Sequence, residues 1–166
     1  MQAGGAMRGV SRNVKEVAVS QEGQPTSPSP IDSLVGRWTY RSFRNLPDPA
    51  VPCDQGANRL LFGLGLLEIE PFAPGAFSGQ LIFSETAMLR LTGTSSVGDP
   101  FAARFQGIGE GEDTEGWVYD YVAYLVPDWP NGVEQRSALV GSVVRTVAHG
   151  GNPAGVVASW IAVKRD

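Results

Sequence analysis

From residue 34 onward, the chain alternates between short apolar segments and turn-forming sequences. A segment such as "RWTYRSF" alternates hydrophobic and polar residues with the two-residue period of a β-strand. No window keeps a 3.6-residue period for more than about two turns, so no long helix is predicted. The pattern predicts strands over residues 36–45, 59–72, 76–84, 87–95, 101–109, 117–126, 138–149 and 154–165.

The breaks between these segments are rich in proline, glycine and aspartate, as in "VGDP" and "PDWPNG". Short links between eight strands in series predict an antiparallel meander. Eight strands are also enough to close around one small ligand, and closure removes the exposed edges of a sheet. We therefore predict an all-β fold, an antiparallel up-and-down β-barrel of about eight strands.

The predicted barrel domain covers residues 34–166 and follows an N-terminal arm with a Pro/Ser linker at residues 1–33. The linker sequence "QEGQPTSPSP" can form neither a helix nor a strand ladder. Two interpretations of the arm are open. It is either a disordered tail or a segment that folds against another subunit.

Composition narrows the classes of partner. The chain has 166 residues, 42% hydrophobic and 18% charged, with a net charge of −4, as expected for one globular domain that does not bind nucleic acid. It has no apolar stretch of about 20 residues and no secretory signal, so we expect a cytoplasmic protein without a membrane partner. The single cysteine, Cys53, excludes an intrachain disulfide and a cysteine-based zinc site, and no metal or cofactor is predicted.

The first predicted strand carries a Gly-x-Trp motif, Gly36–Arg37–Trp38, and the last reads "ASWIAVKRD". With the strand order, these residues resemble the avidin and lipocalin (calycin-type) superfamily of barrels. The resemblance implies that Trp38 lies across one barrel end and that a late-strand cation, Arg145 or Lys164, stacks on it. The alternative is that Trp38 is an ordinary core aromatic residue.

The segment "WVYDYVAYLV" at 117–126 is unusually aromatic. Strand alternation divides its residues between two faces, with Trp117, Tyr119 and Tyr121 on one and Asp120 and Tyr124 on the other. A buried Asp120 would need a partner, for which Arg145 and Arg104 are candidates. Three arrangements are open: a tyrosine-lined pocket, an aromatic belt at a subunit interface, or ordinary packing with Asp120 in solvent.

The leading functional prediction is a non-enzymatic binding module that holds a small, largely apolar ligand inside the barrel. Its predicted ligand-binding residues are aromatic, with one polar residue to orient the ligand: Trp38, Tyr40, Tyr119, Tyr121 and Trp160, with Asp120 or Arg145.

Two other functions compete with ligand binding. An accessory or scaffolding subunit would dock on a copy of itself or on a larger protein, through its arm and an apolar outer face. The second strand, "LLFGLGLLEI", favours this homo- or hetero-oligomer because it is apolar on both faces. The third is a barrel cyclase or isomerase resembling allene oxide cyclases or dirigent proteins, although we expect a non-enzyme.

Four further features carry weaker expectations. His149, the only histidine, is expected in an exposed loop. Trp129 is expected to be a lid, a partner anchor or a loop residue folded onto the barrel. The acidic "GIGEGEDTEG" segment lacks the spacing of a calcium loop and predicts a solvated hairpin tip. Cys53 is treated as structural or incidental.

Overall fold

The computed structural model describes residues 30–45, 59–98, 100–129 and 135–165. They form a closed antiparallel barrel in which each strand pairs with its neighbours in sequence and β1 pairs with β8, which confirms the predicted fold class. The strands are β1 (Gly36–Arg44), β2 (Leu61–Ala73), β3 (Ala76–Ile82), β4 (Met88–Ser96), β5 (Ala102–Gly109), β6 (Val118–Val126), β7 (Ala138–Arg145) and β8 (Val157–Lys164). The N-terminal residues 1–29, Cys53 and the Asn131–Gly132 turn lie outside the described residues.

Six of the eight strands begin and end within two residues of their predicted bounds. The largest differences are at β7, which ends at Arg145 rather than at residue 149, and at β8, which begins at Val157 rather than at residue 154. The intervening segment forms a turn instead, in which Gly150, Gly151 and Gly155 have positive φ angles that glycine adopts readily.

Strand alternation places one face of every strand in the barrel interior. The interior is packed by stacked rings around its middle. Phe105 lies 5.7 Å from Phe77 and 4.6 Å from Tyr121 between ring centroids, the second pair being parallel to within 3°. Gly93 faces these rings, and a side chain there would come within 2.6 Å of the Phe77 ring. Aromatic residues therefore fill much of the interior.

One end of the barrel is closed. Trp38 is fully buried there and donates a hydrogen bond from Nε1 to the Leu34 carbonyl oxygen at 2.9 Å. The Lys164 ammonium lies 5.1 Å from the centre of the Trp38 ring. These contacts confirm that Trp38 closes one end, and they select Lys164 as its cation, since Arg145 ends β7 at the opposite end.

A short 3₁₀ helix, Pro30–Ser33, adds to the closed end. Its residue Ile31 is buried with Leu34 in the core, although the sequence placed Ile31 in the linker. Among the described residues, no helix is long and apolar enough to cross a membrane.

The connections between strands are divided between the two ends of the barrel. The β6–β7 connection, which carries Trp129, lies at the closed end, and Trp129 is 58% exposed. The β3–β4 and β7–β8 connections lie at the other end, which we call the open end. Trp129 is therefore no lid over the open end.

Candidate ligand site at the open end of the barrel

A cavity of about 250 Å³ enters the barrel from its open end. Six aromatic rings dominate its walls, and none of its lining residues carries a charge. The walls are Tyr40, Ser42, Phe62, Gly63, Leu64, Phe83, Ala87, Trp117, Tyr119 and Tyr121. We call this space the open-end cavity.

Small residues on two neighbouring strands leave room for the cavity. Gly63 pairs with Ser42, and the register shifts immediately after this pair. A side chain at Gly63 would reach within 3.1 Å of the Ser42 hydroxyl and 3.4 Å of the Phe83 ring. Gly63 therefore keeps part of the lumen unfilled where the neighbouring positions carry large rings.

One edge of the cavity is polar. The Tyr119 hydroxyl lies 2.7 Å from His149 Nε2 and accepts a long hydrogen bond of 3.4 Å from Arg145 Nε. Arg145 Nη1 donates to the Pro153 carbonyl oxygen at 3.1 Å, and its guanidinium lies 5.2 Å from the centre of the Phe62 ring. Arg145 thus borders two cavity walls, Tyr119 and Phe62. We call Arg145, Tyr119 and His149 the polar edge.

The β7–β8 turn brings His149 to this edge. His149 and Asn152 exchange two backbone hydrogen bonds of 2.9 and 3.1 Å around Gly150 and Gly151, whose positive φ angles suit a tight two-residue turn. The imidazole stacks on Trp117 with 4.2 Å between centroids. His149 lies in a turn, as expected, but it is half-buried rather than fully exposed, because the turn folds it back onto an aromatic wall.

Ionisation at the open end follows from burial. Partial burial lowers the pKa of His149, and the charge of Arg145 lowers it further. Burial raises the pKa of Tyr40 against the opposing effect of hydrogen bonds with Ser42 and Tyr121, and burial also raises the pKa of Tyr121. At neutral pH Tyr40 and Tyr121 are therefore uncharged hydroxyls that can donate hydrogen bonds.

The structure brings together most of the predicted ligand-binding residues, at different depths in the lumen. Tyr40, Tyr119 and Tyr121 are walls of the open-end cavity, and Arg145 borders it. Trp160 lies deeper, with its ring 5.6 Å from that of Tyr40 and its buried Nε1 without a hydrogen-bond partner. Trp38, the remaining aromatic residue of the prediction, lies at the closed end.

Asp120 is placed differently. It is exposed on the outer face of β6 and accepts a hydrogen bond of 2.9 Å from Gln106 Nε2, rather than pairing with Arg145 or Arg104. Its placement as a polar group inside the lumen is wrong. The physical reason is alternation, since Tyr119 and Tyr121 point inward and the residue between them must point outward.

Among the rings of the site, sequence reasoning missed Phe62, Phe83, Trp117 as a cavity wall, and the imidazole of His149. Phe83 lies just beyond its strand, where alternation no longer predicts direction. Alternation places Trp117 on the face of Tyr119 and Tyr121, but the predicted ligand-binding residues do not include it. The "HGGN" turn is the one local signal that could have placed His149 next to the barrel end.

The acidic segment that connects β5 to β6, also at the open end, contains a 3₁₀ helix, Glu112–Thr114. The buried Thr114 hydroxyl donates to the Met88 carbonyl oxygen at 2.7 Å, and Glu110 forms an ion pair of 2.6 Å with Arg90. Within the described ranges, no three metal-ligating side chains come together. The segment is a braced hairpin connection.

Comparison of the chain with protein-family models, with curated proteins and with solved structures found no match in any of the three. The eight-stranded antiparallel barrel is compatible with a calycin-like fold.

Proposed function

We propose that this protein is a binding module that holds a small, largely apolar ligand in the open-end cavity. The observation that carries the proposal is the cavity of about 250 Å³ with six aromatic walls. Ligand sites commonly combine such apolar walls with a few polar groups, and here the polar edge supplies them. Since a cavity of about 150 Å³ can hold benzene, this one has room for roughly ten non-hydrogen atoms.

Membership of the avidin and lipocalin superfamily is part of the proposal. The closed end supports it, since Gly36 begins β1, Trp38 seals the barrel and Lys164 of the last strand lies over the indole. These are the contacts that the Gly-x-Trp resemblance implies.

A cavity-filling variant tests the proposal. Ala87 is a cavity wall, and Ala87→Leu adds three carbon atoms, on the order of 75 Å³. The matched control is Ala73→Leu, the same change at an exposed position in the β2–β3 hairpin of the closed end. Ligand-observed NMR with a panel of uncharged and charged aromatic compounds of this size measures binding.

We expect some compounds to bind the wild type and Ala73→Leu but to lose affinity for Ala87→Leu. Binding of no compound to the wild type would contradict the proposal. Equal binding by Ala87→Leu and Ala73→Leu would also contradict it, because the ligand would then lie elsewhere.

A second candidate function is that of an accessory subunit. The outer face of β6–β8 carries a row of neighbouring apolar residues, Tyr124, Val140 and Ile161. Tyr124 is 42% exposed and Ile161 41% exposed. Such a row favours docking on a copy of this chain or on a larger protein, because tyrosine is enriched at protein–protein interfaces.

Light scattering after size exclusion distinguishes this candidate. Assembly through the apolar row predicts an oligomer that Ile161→Glu dissociates and that Val97→Glu, a change at an exposed closed-end residue, leaves intact. A wild type that stays monomeric at every concentration, with the full chain present, would argue against self-assembly.

A further inference from the structure

The open end of the barrel contains a positive charge that no described carboxylate pairs with. Arg145 is 5% exposed and is the one charged residue among the buried residues that the structure describes. No carboxylate among the described residues lies within ion-pair distance of Arg145. Its contacts are a carbonyl oxygen, a tyrosine hydroxyl and the Phe62 ring.

Such a charge is costly to bury. A cation removed from water loses hydration, which neutral contacts restore only in part. The walls of the open-end cavity provide no negative charge, since they contain no carboxylate and burial keeps Tyr40 and Tyr121 protonated. Among the described residues, the open end therefore offers Arg145 no negative charge.

Tyr119 connects this cation to the cavity. Its oxygen accepts from Arg145, and its ring is a cavity wall. When His149 Nε2 carries the proton and also donates to this oxygen, the Tyr119 hydrogen is free to point into the cavity. The hydroxyl then offers a donor, polarised by Arg145 and His149, to an acceptor in the cavity.

From these contacts we infer that the ligand is a small carboxylate, whose apolar body fills the open-end cavity and whose anionic group accepts a hydrogen bond from Tyr119 beside Arg145. This inference rests on the proposed function and adds the charge of the ligand. Arg145 acts through its field and through Tyr119, because it borders the cavity without forming a wall.

Two probes of the same shape test the charge. trans-Cinnamate and cinnamamide differ in having a carboxylate or an uncharged amide, and isothermal titration calorimetry gives both dissociation constants. We expect the wild type to bind cinnamate about tenfold more tightly than cinnamamide, as a charge-assisted hydrogen bond allows. Arg145→Gln should remove this preference, by weakening cinnamate binding more than cinnamamide binding.

Two further variants sharpen the test. Arg104→Gln removes an equal charge from the exposed outer face of β5 and should keep the preference for cinnamate. Tyr119→Phe keeps the ring and removes the hydroxyl, and should weaken cinnamate binding more than cinnamamide binding. It decides the question if Arg145→Gln does not fold.

The possible outcomes distinguish a failure of the carboxylate inference from a failure of the proposed function. Equal affinity of the wild type for both probes, or a preference that survives in both Arg145→Gln and Tyr119→Phe, would overturn the carboxylate inference and leave the cavity as a site for neutral ligands. Arg145 would then only anchor the β7–β8 turn through Pro153. If neither cinnamate nor cinnamamide binds, that result would count against the proposed function itself.

Discussion

Replacement of Trp38 by phenylalanine tests the closed end of the barrel. Trp38 is fully buried, and its Nε1 donates to the Leu34 carbonyl oxygen at 2.9 Å. Phenylalanine keeps an aromatic ring but loses this donor, the second ring of the indole and part of the attraction to Lys164, whose ammonium lies 5.1 Å away.

The expected loss of stability follows from these three contacts. A buried carbonyl oxygen without its partner costs about 1–2 kcal/mol. The missing ring atoms and the space they leave cost roughly 2 kcal/mol, and the weaker cation–π contact about 0.5 kcal/mol. We therefore expect Trp38→Phe to lower the free energy of unfolding by about 4 kcal/mol, a large part of the roughly 5–15 kcal/mol typical of a domain.

Urea unfolding followed by far-UV circular dichroism measures this difference. With a slope of about 2 kcal/mol per molar urea, the midpoint should fall by about 2 M. The matched control is Trp129→Phe, the same substitution at a residue that is 58% exposed in a connection at the same barrel end, which should change the midpoint little. If the two variants unfold at the same urea concentration, Trp38 does not hold this end of the barrel closed.

Three other predictions concern single residues. Since folding lowers the pKa of His149, the unfolded chain binds more protons just below the ordinary value of 6.5, so stability should fall as the pH drops from about 7 to about 5. His149→Gln should flatten that part of the curve of urea midpoint against pH, and an unchanged slope would contradict this reasoning. Gly93→Ala should destabilise by about 2 kcal/mol because its methyl group would press on Phe105 and Phe77, whereas a methyl group at Gly98 would make only an ordinary contact 3.8 Å from the Pro100 carbonyl oxygen; equal thermal midpoints would refute the close packing. Thr114→Val should cost about 2 kcal/mol in urea unfolding, since it removes a fully buried hydroxyl that accepts from the Gly111 N–H and donates to the Met88 carbonyl oxygen, and a loss below about 0.5 kcal/mol would show that these bonds contribute little.

The site could be predicted only in part from the sequence. Tyr119 and Tyr121 were placed together because residues two apart on a strand share a face. The same rule required Asp120 to point the other way, and only the direction of closure decided that the tyrosines are inside. His149 could not be placed by periodicity, because a turn rather than a strand directs it towards Tyr119.

The tertiary structure also decided which cation lies at each end of the barrel. The sequence offers both Arg145 and Lys164 as the cation for Trp38, since both lie on late strands. β7 and β8 run in opposite directions, so their last residues lie at opposite ends of the barrel, with Lys164 on Trp38 and Arg145 beside Phe62 and Tyr119.

The sequence by itself determined the strands, their order and the two faces of each, because alternation and turn chemistry act between near neighbours in the chain. The tertiary structure decided which face is inside, where the lumen is filled and where it is open. These depend on contacts between residues far apart in sequence, such as Ser42 with Gly63 and Tyr119 with His149. The cavity exists because Gly63 of β2 lies among aromatic rings that come from other parts of the chain, and no single segment contains that information.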